Sequence, residues 1–379
     1  MKKISVISVV LNNFKNDSRV LKENLSLKHA GYQVQVVALH EKSLKECEDI
    51  HGVPVHRIKL KSKYWSKNKI IQLLKYFEFI SRVIYKYRDS DIIHCNDLNT
   101  LPIGVIIKKV LRKNIKIVYD AHEYEINDTP NESNISIKIK YYIEKICIQY
   151  VDAVITVSNS ISNEYVNLYN IKKPALVLNT PPYIEIEKQN IFRKTFNIGI
   201  DKTIFLYQGS LAQGRGIEIL LKTFEQLDNK NIIIFMGYGV LEETIMTISK
   251  QSSNIYFHHA VSPDVLLEFT SSADFGIATI EDSCLSYHYC LPNKIFEYAM
   301  ANVPVLVSNL PEMKKIVMQY KIGVVTKENN IQGLKDAILQ ATKLDTKTLL
   351  ENIQIVKKVY NWNEQEKILL EVYRDINEN

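Results

Sequence analysis

Residues Gly209-Ser210-Leu211-Ala212-Gln213-Gly214-Arg215-Gly216 leave a β-rich segment and enter an apolar-periodic one, an order that suits an anion. Glycines let backbone amides approach a charged oxygen, and a helix that follows aims its unpaired N–H groups and positive dipole end at it. Arg215 would add a permanent charge able to make two parallel hydrogen bonds. The spacing is neither a Walker loop, which requires Gly-Lys-Ser/Thr, nor a Gly-x-Gly-x-x-Gly dinucleotide fingerprint. On spacing alone, phosphate binding and an ordinary glycine-rich turn stand as equal readings. Gly237-Tyr238-Gly239 closes a second β-rich run and again suggests close backbone approach. In Leu291-Pro292-Asn293-Lys294-Ile295-Phe296-Glu297, a helix opening near Pro292 puts Asn293 and Glu297 four apart on one face. The carboxylate then sits one turn below an anion-binding terminus and can accept two hydroxyl hydrogen bonds, as a ribose diol offers. A solvated surface glutamate is the plainer alternative.

His122 follows the expected strand 115–119, which places it at the carboxyl edge of a sheet. Asp17 and Arg19 lie in the first loop after a strand and could form an ion pair or orient an acceptor. Asn96 and Asp97 end a third strand and are similar candidates, with capping of the next helix as the alternative. Asp89-Ser90-Asp91 imitates the Asp-x-Asp motif that holds Mn or Mg against a diphosphate. It precedes its strand instead of following it, so no metal is expected.

These groups must be positioned by elements that the rest of the chain supplies. With 379 residues, 46% hydrophobic and 24% charged, the chain can bury a full core and leads us to expect two domains. Short β-rich runs at 4–11, 33–39, 91–95, 115–119, 153–157 and 175–178 alternate with helical patterns such as 18–30, closed by Gly31, and 159–169. Asn179-Thr180-Pro181-Pro182 then interrupts regular structure. The alternation resumes with strands expected at 203–208, 231–236, 255–258, 275–279, 303–307 and 323–325. The expectation is an α/β protein of two Rossmann-like domains, at 1–180 and 183–360, with a cleft between them as the default ligand site, followed by a terminal helix at 361–379. Glycine is scarce, at 12 residues, and five of these fall between Gly209 and Gly239, which marks that region. Five cysteines without a Cys-x-x-Cys pair suggest neither a disulfide framework nor a zinc cage, and a cytoplasmic location is expected. No apolar run reaches the length of a membrane span, and the net charge of +6 is too mild to indicate nucleic acid.

Taken together, the three segments of the second half resemble the nucleotide-sugar domain of GT-B fold glycosyltransferases, specifically the retaining enzymes of glycosyltransferase family 4. The first half is similar to the same family at Asn16-Asp17-Ser18-Arg19-Val20, Asp91-Ile92-Ile93-His94-Cys95-Asn96-Asp97, Tyr119-Asp120-Ala121-His122-Glu123 and Asp152 through Ser158. The resemblance implies two domains facing each other across a cleft, an acceptor domain at 1–180 and a nucleotide-sugar domain at 183–360, with the terminal helix at 361–379 packing back on the first. It implies a diphosphate loop at Gly209 to Gly216, with Arg215 at the family's lysine and Ser210 where a first basic residue is usual. It implies that Glu297 holds the donor ribose, whereas the first acid of the family's pair falls at Tyr289. Pro292 opens the helix whose Asn293 and Lys294 amides would face the diphosphate or sugar, and the segment reaching Ala260 and Val261 would read the base. His122 is implied to contact the donor sugar. The implied reaction carries a sugar from a nucleoside diphosphate to a glycan or lipid-linked acceptor in surface-glycan assembly, with no covalent nucleophile and no cofactor. A nucleotide-sugar epimerase on the same fold and a non-catalytic partner or chaperone are the alternatives. Ser210 and Tyr289 keep the second of these open.

Between residues 57 and 88 the basic side chains Arg57, Lys59, Lys61, Lys63, Lys67, Lys69, Lys75, Arg82, Lys86 and Arg88 face a single carboxylate, Glu78. If 69–88 is helical, Ile70, Leu73, Phe77, Ile80 and Ile84 share one face and Lys75, Arg82 and Lys86 the other. Tyr64 and Trp65 precede it, a pairing suited to a bilayer interface. A helix docked on its own sheet with a solvated basic face and peripheral contact with anionic lipid at the inner face of the membrane are the two readings.

Overall fold

The computed structural model describes residues 3–378. The chain divides into two units. One takes the chain up to Asp128, Glu132–Val177 and the segment from Glu366 onward, and the other takes Thr129–Asn131 and Leu178–Gln365.

The first unit is built on β1 (Ser5–Val9), β2 (Gln33–Leu39), β3 (Cys47–Ile50), β4 (Val53–Ile58), β5 (Ile92–Asn96), β6 (Lys116–Ala121), β7 (Ala153–Thr156) and β8 (Ala175–Leu176). They form one sheet in the order β3-β4-β2-β1-β5-β6-β7-β8. Every neighbouring pair is parallel except β3 and β4. That hairpin is absent from the sequence expectation. Its edge strand Cys-Glu-Asp-Ile carries no apolar alternation, and its turn is made by His51 and Gly52, both at positive φ (51° and 90°), between the paired Ile50 and Val53. The expected helix 18–30 is observed as Ser18–His29, with Asp17 as N-cap accepting from the Val20 amide and Gly31 at φ 99° just past its end.

The second unit contains β9 (Thr203–Ser210), β10 (Asn231–Tyr238), β11 (Ile255–His259), β12 (Phe275–Ala278), β13 (Val305–Val307) and β14 (Gly323–Val325), parallel throughout in the order β11-β10-β9-β12-β13-β14. Its strands are apolar on both faces because helices cover both. Ile204, Leu206, Ile232 and Ile234 enter one core cluster, while Phe205, Tyr207, Ile233 and Phe235 enter the other. Phe205 stacks on Phe275 with centroids 5.3 Å apart. Truncating such a ring costs about 3 to 5 kcal/mol.

The strand order reverses at β1/β5 in the first sheet and at β9/β12 in the second, and crevices at the carboxyl ends beside such reversals are where α/β sheets bind ligands. Gly209 and Ser210 close β9 at one reversal, and Asn96 ends β5 at the other. The terminal helix Trp362–Glu378 starts in the second unit, where Trp362 donates its amide to Pro181 and Asn361 Oδ1 accepts from the Glu364 amide. From Glu366 onward it counts with the first unit, where Tyr373 is fully buried and packs its ring on Tyr32. Among the described residues no helix is long and apolar enough to cross a membrane.

Candidate functional site

In the second unit, the glycine loop, the end of β10 and the helix Asn293–Met300 meet at the carboxyl end of β9. Gly237 pairs in register with Gly209, and a Cβ on Gly237 would stand 1.9 Å from the Gly209 carbonyl oxygen. This glycine is therefore demanded by the approach of one strand end to the next. Gly239 packs in the same way on Leu211, and Tyr238 stays exposed between them. Gly216, at φ 70°, is the N-cap of the helix Ile217–Phe224, and a Cβ there would meet Thr279 at 2.9 Å. The Gly214 carbonyl accepts from the Glu281 amide at 3.0 Å, so the loop is tied down on that side.

Two cations project here. The Arg215 guanidinium lies 4.6 Å from the centroid of the Tyr287 ring, and Lys294 Nζ lies 3.9 Å from that of Tyr207. Both contacts are cation–π in geometry. No ion pair is formed by either group among the described residues. Burial, and then the charge of Arg215, push the Lys294 amine down to about 7, with Glu297 acting in the opposite sense. One turn along, Glu297 Oε2 accepts from Gln208 Nε2 at 2.6 Å, and Gln208 Oε1 accepts from Thr270 Oγ1 at 2.8 Å. Gln208 thus fixes the carboxylate expected to hold a ribose. Pro292 is the N-cap, so the Asn293 and Lys294 amides fall among the unpaired N–H groups of the first turn. Ser210 is exposed at the end of β9, and Tyr289 follows the short helix Leu285–His288. Ala260 and Val261 follow β11, with Ala260 exposed and Val261 half-buried against the core.

In the first unit, His122 is at the carboxyl end of β6, beside Asp97 and Asp120. Its Nε2 is 3.1 Å from Asp120 Oδ2 and its Nδ1 3.3 Å from Asp97 Oδ1. Burial alone would lower its pKa, but the Asp97 and Asp120 carboxylates raise it to about 10. Both ring nitrogens are therefore engaged, as an imidazolium between two acids. Asp97, at φ 63°, keeps a 42% exposed side chain and is the accessible member.

Two acceptor-side expectations are corrected. Arg19 is 4% exposed and makes a bidentate pair with Asp120, Nε to Oδ2 at 2.9 Å and Nη2 to Oδ1 at 2.7 Å, while Nη1 donates to the Val177 carbonyl. It neither pairs with Asp17 by hydrogen bond nor faces an acceptor, because Asp17 caps the helix on which Arg19 is buried. Asn96 is 1% exposed and donates to Ser8 Oγ and the Val9 carbonyl, tying β5 to β1. Asp91 accepts from the Ser5 amide and hydroxyl, and Asp89 from Lys113, so both carboxylates of the Asp-x-Asp imitation are occupied by the protein.

Sequence reasoning did not nominate Asp120, Glu23, His94, Tyr373 or Gln208. Glu23 follows Arg19 by four residues on one helix and sits 3.1 Å from it, a spacing that was available in the sequence. His94 receives Tyr373 at 2.7 Å across 279 residues, for which no local signal exists.

Two open sheets, parallel apart from the β3–β4 hairpin and each with candidate side chains at its carboxyl edge, are the architecture of the GT-B class of sugar-transferring proteins. The family models agree: residues 25–180 match Glycosyltransferase Family 4 and residues 202–343 match Glycosyl transferases group 1. The chain therefore belongs to the family 4 type of GT-B glycosyltransferases. It is 23% identical over 364 residues to an uncharacterised glycosyltransferase of Methanocaldococcus jannaschii, covering 91% of this chain and 90% of that one. It is 22% identical over 311 residues to a chitobiosyldiphosphodolichol beta-mannosyltransferase of Debaryomyces hansenii, covering 72% of this chain and 63% of that one. Among solved structures it superposes on HepE of Anabaena, in complex with UDP and glucose, with a TM-score of 0.75 at 13% identity, covering 99% of this chain and 100% of that one.

Proposed function

We propose that the protein is a retaining, metal-independent glycosyltransferase, moving a hexosyl or N-acetylhexosaminyl group from a nucleoside-diphosphate sugar to a glycan or lipid-linked acceptor in surface-glycan assembly. The observation that carries the donor assignment is the juxtaposition of the Arg215 cation, the glycine loop and the Gln208-braced Glu297 at the end of β9. Arg215 and the terminus of the helix Ile217–Phe224 stabilise charge on the departing diphosphate, and Glu297 accepts from the ribose hydroxyls. The leaving phosphate oxygen takes the acceptor proton on the same face of the sugar, so the protein's work is positioning and electrostatics. Asp97, the exposed member of its pair with His122, offers a carboxylate to sugar hydroxyls, and the His122 imidazolium, engaged at both nitrogens, holds that carboxylate in place. UDP held by the Anabaena relative and the lipid-diphosphate acceptor in the yeast relative's name support the substrate classes.

A thermal-shift screen against UDP, GDP, ADP, dTDP and CMP identifies the base, since a ligand of the folded state raises its melting temperature. With the matching sugar nucleotide, the anomeric configuration of the product by NMR checks retention, and unchanged rates in EDTA check metal independence. Arg215→Ala leaving both transfer rate and nucleotide affinity intact would overturn the donor assignment. Nucleotide binding without transfer would favour the non-catalytic partner, and an acceptor-independent change in the sugar would favour the epimerase.

Membrane contact, at the cytoplasmic face, belongs to the same reading in a narrower form. The helix Lys69–Tyr87 buries Phe79, Ile80, Val83 and Tyr87 but leaves Ile70 (73%), Leu73, Leu74 and Phe77 (55%) exposed, as are Tyr64 and Trp65 before it. The docked-helix reading thus accounts only for its second half. The basic face also shrinks. Arg57 is buried and bonded to the Asn13, Lys45 and Phe14 carbonyls, Lys59 pairs with Glu46, and Arg82 pairs with Glu78. Lys61, Lys67 and Lys69 remain beside the exposed apolar side chains, with no ion pair among the described residues. Apolar side chains flanked by unpaired lysines match an anionic bilayer surface.

A further inference from the structure

The donor-site reading assigned Lys294 through its backbone amide. The position of its side chain goes further. The Cε atom lies 4.0 Å from where a Cβ on Gly209 would stand, so the chain crosses from the helix Asn293–Met300 to the first turn of the glycine loop. There Nζ rests on the Tyr207 ring, in the same pocket of charge as Arg215. Ser210, the loop residue beside Gly209, carries no charge. We propose that the Lys294 amine is a second phosphate-facing cation of this site and that it gains its proton when a diphosphate binds.

The charge of the amine is set by what surrounds it. The titratable and charged groups that face it are Arg215 from the loop, Glu297 from its own helix, Cys290 from the segment before that helix and Tyr207 from β9. Of these only Glu297 is a carboxylate, and it is already hydrogen-bonded by Gln208. A half-buried ammonium beside a guanidinium, without an acid of its own, is held charged only weakly, and its pKa falls to about 7. Near neutral pH both forms of the amine are then accessible when no anion is bound beside it. A diphosphate brings negative charge into the same low-dielectric space, which favours the ammonium and raises its pKa again. Binding and protonation are linked, so the affinity gained from Lys294 declines as pH rises above neutral. An arginine at this place would bind phosphate without that dependence, because guanidinium does not lose its proton in this range.

This inference rests on the donor-site reading. The test separates the two. The full chain is titrated calorimetrically with inorganic pyrophosphate at about pH 8, in two buffers of different ionisation enthalpy, so that the difference in heat counts protons exchanged. The ligand's own proton exchange is common to all variants. Wild type is expected to take up more protons than Lys294→Arg, and Lys294→Gln is expected to lose affinity by roughly ten- to a hundredfold, the scale of one charge-assisted contact. Lys294→Arg is expected to keep most of the affinity, and thermal unfolding checks that each variant is folded. A merely structural lysine would not alter the proton count. Equal affinity and equal proton uptake in wild type and Lys294→Gln would overturn the Lys294 proposal alone. Failure of the folded wild type to bind pyrophosphate would overturn the donor site as well.

Discussion

Gln208 and Glu297 stand 89 residues apart in the chain, yet the Gln208 amide nitrogen donates to a Glu297 carboxylate oxygen at 2.6 Å. Gln208 ends the buried part of β9, and its other amide atom is taken by Thr270, so the carboxylate is aimed by a side chain that is itself fixed. Tyr298, the neighbour of Glu297, holds the same junction from below by donating to the Leu206 carbonyl at 2.9 Å. A carboxylate aimed in this way keeps its second oxygen in a defined place. That is the geometry a diol needs.

Glu297→Gln is expected to weaken nucleotide binding by roughly ten- to a hundredfold, the scale of one lost charge-assisted contact. Gln208→Leu leaves the carboxylate charged but unaimed, so the Michaelis constant for the sugar nucleotide is expected to rise by a smaller factor. Steady-state kinetics with the donor found by thermal shift measures both. A larger effect from Gln208→Leu than from Glu297→Gln would refute this division of roles.

The His122 imidazole is expected to remain protonated well above neutral pH. Its folded pKa, about 10, exceeds the ordinary value of 6.5, so it binds its proton more tightly in the folded state. The stability it contributes is complete below about 6.5 and is lost as pH rises through about 10. Ring resonances of His122, assigned by comparison with His122→Gln, should show no deprotonation up to about pH 8. A transition near 6.5 would show that the two carboxylates do not act on the ring as described.

Arg19 and Asp120 form a buried pair, and removing one partner leaves the other charge desolvated. Asp120→Ala and Arg19→Met are each expected to cost about 3 to 5 kcal/mol in urea unfolding. The double variant should cost less than the sum, because the two substitutions share one interaction. Strict additivity would mean that the pair contributes no coupling.

Sedimentation with anionic vesicles tests the exposed face of Lys69–Tyr87. Lys61→Ala, Lys67→Ala and Lys69→Ala together are expected to weaken binding, at about 1 kcal/mol per residue, and Leu73→Ser with Phe77→Ser to weaken it independently of salt. Binding by wild type that is matched by both variants would exclude this surface.

The sequence by itself determined the alternation of strands and helices, because apolar period and turn residues are local. The helix Asn159–Tyr169 and the strand Gly323–Val325 match their expected limits. It also determined which loop is glycine-rich and where Glu297 lies relative to Asn293, since helical spacing is local too. The hairpin at Cys47–Ile50 escaped because a polar edge strand has no period. Only the tertiary structure decided which charged groups are available to a ligand. The sequence places Arg19 in a first loop where it could orient an acceptor, but Asp120, 101 residues away, binds its guanidinium. Lys294 looked like a source of a backbone amide, but the Tyr207 ring and Arg215 set what its side chain can do. Charge and hydrogen bonding depend on whatever lies within a few ångströms, and in parallel sheets those neighbours arrive from distant parts of the chain.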